Sequence, residues 1–316
     1  GAVEAGRREE ATRRYQELVA VDPADPEAAL WLSRDHLDAG RHEEARLALS
    51  QSKEALDRLD GIILQAELAL IDGDTQLARS LFGKALGKSR GNVPAMAGLA
   101  RVTLAEGKAG DAWVMFKRLL QTPGADGIRD DALICLRRLI QSSPGAAALP
   151  WWEELLKLEP KSLEAHRAIA TLHLDSGALD SALAYANRAL GLASDDLETT
   201  RLLAAILHAN GQSEAAAKIL ESLVAAGSME ALQALAGIDR SRASAAIDGL
   251  LASDPARKDL RRLLATWAME AGNFRDAWEH LDVLLAQDPD PTVADVARSC
   301  LEALATGAKD ADEAAG

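Results

Sequence analysis

Residues 107–113 read Gly-Lys-Ala-Gly-Asp-Ala-Trp, and residues 272–278 repeat them closely as Gly-Asn-Phe-Arg-Asp-Ala-Trp. Both stretches place an alanine five residues after a glycine, and this pair recurs along the chain. The clear copies are Gly6/Ala11, Gly40/Ala45, Gly73/Ala78, Gly107/Ala112, Gly177/Ala182, Gly211/Ala216 and Gly272/Ala277, with weaker copies at Ser143/Ala148 and Ile238/Ala243. Successive copies are 33 to 36 residues apart, except for one interval of 27. A fixed period of this length predicts an array of repeated supersecondary units.

Each period contains two amphipathic segments, one before the turn glycine and one after it. Residues 164–174 and 180–190 show the arrangement clearly, with apolar residues three and four positions apart, which is the spacing of helices. Prolines follow the second segment at Asp22-Pro23, Thr122-Pro123, Glu159-Pro160, Asp254-Pro255 and Asp288-Pro289. Because proline cannot continue the hydrogen bonds of a helix, each marks the end of a predicted helical hairpin.

This pattern resembles the tetratricopeptide repeat over residues 1–304. The resemblance implies an all-α fold, a right-handed α-solenoid of stacked helix-turn-helix hairpins, in which the first helices line a concave groove that binds partners. About nine hairpins are expected: the first lacks its leading helix, and the eighth (residues 230–255) is shortened. The fifth has Ser142-Ser143-Pro144 in place of a turn glycine. A cap helix is predicted at 291–304 and a disordered tail at 305–316.

Composition and motifs exclude several classes of function. The 316 residues carry a net charge of −14, which disfavours nucleic acid as a partner, and no apolar stretch is long enough for direct membrane insertion. Two cysteines and six histidines form no metal-binding motif, so neither a metal nor a cofactor is predicted. Residues 83–89 resemble a phosphate-binding loop but are one residue short and lie within a predicted helix. No catalytic residue is identified, and the chain is predicted not to be an enzyme.

Helical spacing selects one face of the first helices as the candidate groove. Arginines lie six or ten residues before the turn in six hairpins, and apolar residues lie three before it. The candidate partner-binding residues are Arg34, Leu37, Leu70, Arg101, Leu104, Arg137, Arg167, Leu174, Arg201, His208 and Arg262. Two interpretations of the arginines stay open. They bind an acidic partner, or they pair with acidic residues of the neighbouring hairpin, namely Glu27, Asp60, Asp130, Glu164, Glu198 and Asp259.

The leading functional hypothesis is a non-enzymatic scaffold that binds a protein or peptide segment in the groove, with acidic segments as the expected class. The alternative is a periplasmic scaffold of an exopolysaccharide synthesis or export system that contacts an anionic polysaccharide. A third is the helical part of a larger enzyme. Arginine outnumbers lysine 25 to 10, which indicates a high-GC bacterial source. Because Gly1 lies just before a predicted turn, we expect a piece of a longer array, so the compartment, periplasm or cytoplasm, is left open.

Overall fold

The structure is a computed structural model that describes residues 2–123, 127–287 and 290–315, with side chains described for residues 7–123, 127–287 and 290–306. Within these ranges every regular element is a helix, and consecutive helices pack against each other. The predicted class, an all-α solenoid of helical hairpins, is confirmed. The chain divides into two compact units, unit 1 (Gly1–Ala165) and unit 2 (His166–Gly316).

Unit 1 begins with a single helix, which packs on the first of four hairpins. Its helices are α1 (Ala2–Val21), α2 (Pro26–Asp38), α3 (His42–Ser50), α4 (Lys53–Asp57), α5 (Leu59–Ile71), α6 (Thr75–Lys88), α7 (Val93–Ala105), α8 (Ala109–Leu119), α9 (Ile128–Ser142) and α10 (Leu149–Leu158), with a 3-10 turn at Gly145–Ala148. In the first of these hairpins the second helix is divided into α3 and α4, because Ser52 is buried and caps α4 by accepting a hydrogen bond from the backbone N–H of Ala55.

Unit 2 continues the same alternation of helices and ends on a long terminal helix. Its helices are α11 (Leu163–Asp175, which begins in unit 1), α12 (Leu179–Leu192), α13 (Leu197–Ala209), α14 (Ser213–Ala225), α15 (Met229–Ile238), α16 (Arg240–Ser253), α17 (Lys258–Glu270), α18 (Phe274–Gln287) and α19 (Pro291–Ala315). The shortened eighth repeat is visible in α15, which has 10 residues where α13 and α17 have 13.

Six predicted turn glycines join the two helices of a hairpin in the same way. Gly40, Gly73, Gly107, Gly177, Gly211 and Gly272 have φ between 73° and 83°. At Gly73, for example, the N–H of Asp74 donates to the carbonyl oxygen of Ala69 at 2.9 Å, so the left-handed residue closes the end of α5. The repeated glycine in the sequence therefore reflects one backbone conformation that other residues rarely adopt.

The structure corrects three of the expected boundaries. Gly6 forms no turn, because α1 is one continuous helix through it; glycine permits a turn but does not impose one. An additional left-handed glycine, Gly227 (φ 94°), lies between α14 and α15. The interval of 27 residues arises mainly because α15 is shorter than α13 and only Asp239 separates α15 from α16. The terminal helix α19 extends to Ala315, so the backbone of 305–315 is helical rather than disordered. The predicted helix end at Asp288-Pro289 lies outside the described residues.

The cores of both units are built largely from alanine and leucine. Ala45, Ala78, Ala112, Ala182 and Ala216, each five residues after a turn glycine, are fully buried or nearly so. A methyl group at this position allows the two helices of a hairpin to approach closely, and larger side chains fill the spaces between hairpins. The first helices consequently share one register, which brings equivalent positions of successive hairpins next to each other.

Candidate partner-binding site

The arginines of unit 1 form a chain of ion pairs between successive hairpins. Arg34 Nη1 lies 2.6 Å from Glu67 Oε2, and Arg101 Nη1 approaches the other oxygen of Glu67 at 3.8 Å. Arg101 also donates through Nε to Asp131 at 2.7 Å. Glu67, whose side chain is 14% exposed, is therefore held between two arginines one repeat apart on either side. These contacts neutralise Arg34 and Arg101 within the protein.

Arg137 and Arg167 are placed in a similar way, next to carboxylates at or near the junction with the following repeat. Arg137 contacts Glu164 at 3.1 Å and Glu159 at 3.4 Å. Arg167 contacts Glu198, and its Nη1 lies 3.2 Å from Asp196 Oδ2. Three of these acidic residues lie at the beginning of a helix, where the helix dipole also favours a negative charge.

Arg262 and Arg201 complete the series in unit 2. Arg262 contacts Asp290 at 2.7 Å. Arg201 is exposed and makes a weaker contribution: the pKa of the Glu230 carboxyl is lowered by its backbone and Ser228 hydrogen bonds, and to a smaller extent by Arg201. Among the described residues, five of the six arginines thus form internal ion pairs, and their side chains remain 27% to 48% exposed.

The acidic residues that the sequence proposed as internal partners behave unequally. Glu164 and Glu198 pair with the groove arginines, as described above. Glu27 pairs instead with Arg58, and Asp259 with Arg257. Asp60 and Asp130 are exposed and make no ion pair among the described side chains. Glu67, which neutralises two arginines, was not among the proposed partners, because it lies in the middle of a helix rather than at its beginning.

The apolar residues predicted as anchors belong largely to the core. Leu104 is only 8% exposed, so it is corrected from a groove anchor to a core residue. Leu37, Leu70 and Leu174 are half-buried and pack against the clusters between their own helices. Three residues before the turn, the first helix already faces its second helix, which leaves these side chains little surface for a partner. His208 is exposed, with its Nδ1 2.9 Å from the Ser213 hydroxyl.

A cleft in unit 1 brings together residues of two successive first helices. Its lining residues are Tyr15, Glu27, Leu30, Trp31, Arg34, Asp60, Ile63, Leu64 and Pro94, and its volume is about 310 Å³. Glu27, Leu30 and Arg34 lie thirteen, ten and six residues before Gly40, and Asp60 and Ile63 hold the first two of these positions before Gly73. We call this space the Trp31 cleft.

Trp31 is the large apolar side chain that the cleft presents to solvent. Its side chain is 37% exposed, and its ring stacks on that of Tyr15 with centroids 5.3 Å apart. The indole Nε1–H points to the hydroxyl of Thr12 at 3.4 Å. The ring is thus held in place from one side while another part of its surface stays open, which is the arrangement of an aromatic anchor point in a binding surface.

Sequence reasoning missed Trp31, Tyr15 and Pro94. Trp31 lies nine residues before its turn glycine, between the two positions from which the groove was read, and Tyr15 comes from α1, which was treated as a remnant of a hairpin. Pro94, at the beginning of α7, reaches the cleft only because hairpins stack. The available signal was compositional: a tryptophan among 3% aromatic residues, on a helix face that also carries Arg34.

Other reactive groups show no arrangement for chemistry. Cys135 and Cys300 are buried and donate hydrogen bonds to the carbonyl oxygens of Ala109 and Phe274. Burial raises the pKa of the Cys135 thiol to about 11, so it is protonated at neutral pH. Among the described residues, no group of His, Cys, Asp and Glu is arranged to hold a metal ion. No described helix combines the length and the apolar character needed to cross a membrane.

Comparison with known proteins agrees with the repeat geometry. Residues 2–66 and residues 137–196 match two family models described as tetratricopeptide repeat. These matches, together with the regular Gly-turn hairpins between and beyond them, support a tetratricopeptide-repeat protein. The family supports a protein-interaction scaffold as its general function. No curated protein matches the chain.

Several solved structures resemble the chain at low identity. The C-terminal part of a tetratricopeptide-repeat protein from Cytophaga hutchinsonii is 12% identical to this chain, with a TM-score of 0.44. The match covers 81% of this chain and 94% of that structure's chain. PilF from Pseudomonas aeruginosa is 17% identical, with a TM-score of 0.40 and coverage of 67% and 97%. YrrB, whose structure is described as having an unusual peptide-binding site, is 15% identical, with a TM-score of 0.40 and coverage of 62% and 97%. At these values the likenesses carry no argument about function.

Proposed function

We propose that the protein is a non-enzymatic scaffold that binds a segment of another protein on the first-helix surface of unit 1, with the Trp31 cleft as its anchor point. The observation that carries the proposal is the partly exposed Trp31 ring, which stacks on Tyr15 and lines a cleft of about 310 Å³ together with Leu30 and Ile63. A large apolar side chain of a partner has both room and apolar surface there. Aromatic residues held in this way supply much of the binding free energy in protein interfaces.

The groove arginines have a different part in this proposal from the one that the sequence suggested. Arg34 and Arg101 are already paired with Glu67 and Asp131, and a partner carboxylate has to compete with those contacts. Their net contribution to binding an acidic peptide or an anionic polysaccharide is accordingly reduced. The apolar cleft, rather than a row of free positive charges, is therefore the main recognition feature of unit 1.

The test is a selection of random decapeptides displayed on phage, followed by affinity measurement on synthetic peptides by fluorescence polarisation. We expect wild type to enrich peptides with a large apolar residue, and Trp31→Ala to weaken their binding at least tenfold, since a central aromatic anchor contributes about 2 kcal/mol or more. Val114→Ala is the matched control, because Val114 is 68% exposed on α8, away from the cleft.

Circular dichroism and thermal unfolding establish that both variants keep the fold. Retention of the same peptides by folded Trp31→Ala would show that the cleft is not the binding site. An alginate arm at low and high salt covers the polysaccharide alternative: binding of alginate, but of no peptide, in a Trp31-dependent way would replace the peptide proposal.

A further inference from the structure

Two neighbouring depressions meet at Trp31. The Trp31 cleft is one of them, and the second, of about 380 Å³, is lined by Arg7, Arg8, Trp31, Arg34, Asp35 and Asp38. Trp31 and Arg34 line both. Helix α2, which carries these two residues, packs against α1 on one side and α5 on the other. A segment that covers the Trp31 ring therefore has one depression before it and the other after it.

The charges of the second depression are mostly used within the protein. Arg8 contacts Asp35 and Asp38, each at 2.8 Å. Arg34, as described, contacts Glu67. Arg7 is exposed and forms no ion pair with any side chain that the structure describes. Of the three arginines that line this depression, Arg7 is therefore the one without an ion pair to a described side chain.

The Trp31 cleft has the opposite balance. Glu27 pairs with Arg58, which does not line the cleft. Asp60 is exposed in the first turn of α5 and forms no ion pair within the described part of the chain. The unshared charge here is the negative one of Asp60. Along this surface three groups therefore follow one another: Arg7, the exposed ring of Trp31, and Asp60, and neither charged group is paired with a side chain that the structure describes.

We propose that the segment bound at Trp31 carries a large apolar side chain between an acidic residue, which contacts Arg7, and a basic residue, which contacts Asp60. This inference rests on the proposed function. It differs from the acidic segment expected from the sequence, because an acidic residue beside Asp60 and Glu27 meets like charges. The overall charge of −14 adds to the long-range attraction of the basic end.

Four substitutions that each remove one charge test the order of charges, and none of them changes the size of the side chain greatly. Asp60→Asn and Arg7→Gln remove the two free charges. Asp130→Asn is the control for the first, because Asp130 is also an exposed, unpaired residue in the first turn of a first helix, α9, and loses the same interaction with the helix dipole. Arg13→Gln is the control for the second, since Arg13 is exposed on α1 but lines neither depression.

The measurement compares the peptides selected by wild type with versions in which the acidic or the basic flanking residue is changed to Gln. We expect Asp60→Asn to weaken the parent peptide about two- to fivefold and to leave the peptide without its basic residue unaffected. Arg7→Gln is expected to behave in the same way towards the acidic residue. The two controls bind the parent peptide as wild type does.

Each outcome bears on one of the two proposals. Selected peptides that need Trp31 but show no acidic and basic residues on opposite sides, or additive effects of Asp60→Asn and the peptide change, overturn the charge order and leave the proposed function standing. A selection that yields no Trp31-dependent peptide overturns the proposed function itself.

Discussion

The absence of a side chain at residue 98 allows two hairpins of unit 1 to pack closely. A Cβ built at Gly98, within α7, lies 2.2 Å from two ring carbons of Phe82 and 2.6 Å from a third. Phe82 is fully buried in α6, so its ring has no free space into which to move. The glycine in the middle of a helix, which is unfavourable for helix formation, is thus explained by the close approach of an aromatic ring.

We expect Gly98→Ala to lower the free energy of unfolding by about 1–2 kcal/mol. The reason is that the steric clash of the added methyl group with Phe82 costs more free energy than the better helix propensity of alanine restores. Urea denaturation measures the change. Gly83→Ala is the matched control: Gly83 lies in α6 with no atom within 4 Å of an added Cβ, and the substitution is expected to stabilise the protein by about 0.5–1 kcal/mol. Equal effects of the two substitutions would show that the Phe82 contact has no energetic weight.

At the scale of the helix, the beginning of α13 joins two repeats through one carboxylate. Asp196 is the N-cap, accepts hydrogen bonds from the backbone N–H of Thr199 at 2.9 Å and from its hydroxyl, and also contacts Arg167. The Thr199 hydroxyl is the main cause that lowers the pKa of the Asp196 carboxyl, with the backbone hydrogen bond and the positive charge of Arg167 acting in the same direction. The charge of Asp196 therefore stabilises the folded state.

A pH series tests this role. Asparagine caps helices about as well as aspartate, so Asp196→Asn removes the charge and keeps the cap. Near pH 7 we expect the variant to be about 1 kcal/mol less stable than wild type. Because the folded-state pKa is lowered, the difference is present above the ordinary range of an aspartyl carboxyl and disappears as the pH falls below about 4. Asp195→Asn, at the neighbouring exposed position, is expected to show little difference at any pH, and a pH-independent loss for Asp196→Asn would contradict the argument.

Helix order was predictable from the sequence because one backbone conformation, the left-handed turn glycine, recurs at a fixed interval. Gly40 and Gly272 are examples that the structure confirms. Gly6 and Gly227 show the limit of this prediction: Gly6 lies within a helix, and Gly227 forms a turn that does not belong to the series of regularly spaced glycines. Whether a glycine forms a turn depends on what the following segment packs against. This is a property of the tertiary structure that the spacing of glycines in the sequence does not determine.

The Trp31 cleft was predictable only in part, for the same physical reason. The residues contributed by one helix, such as Leu30 and Arg34, follow from helical periodicity. Tyr15 reaches the cleft because α1 packs on α2, and Pro94 reaches it because α7 packs on α5. The pairing of Arg34 with the mid-helix residue Glu67 depends on the offset between hairpins. That offset is set by side-chain packing across the whole repeat.

At the scale of the molecule, packing is almost entirely between neighbours in sequence. Each unit stacks hairpins that contact the hairpin before and the hairpin after, and the ion pairs follow the same rule. Stability in such arrays is a sum of repeat terms and nearest-neighbour terms, so a local defect is expected to stay local.

Hydrogen exchange followed by mass spectrometry tests this expectation with Gly98→Ala. Amide exchange should accelerate about tenfold in α6, α7 and α8, as a loss of about 1.4 kcal/mol implies. Exchange in α17 and α18 of unit 2 should stay as in wild type. A uniform acceleration of exchange over both units would show that the chain unfolds as one cooperative body, and it would contradict the expectation that a local defect stays local.

The position of Glu67 between Arg34 and Arg101 restricts how this array can grow by gene duplication. The three residues occupy the same place in consecutive hairpins, with the acidic one in the middle. A tandem copy of the α5–α6 hairpin would set two Glu67 side chains one repeat apart, at the spacing where Arg34 and Glu67 now touch, and like charges there repel. In such a copy each glutamate keeps one arginine neighbour and gains a like charge as the other, so duplication of this hairpin is expected to be less favourable than duplication of a hairpin with a neutral residue at that position.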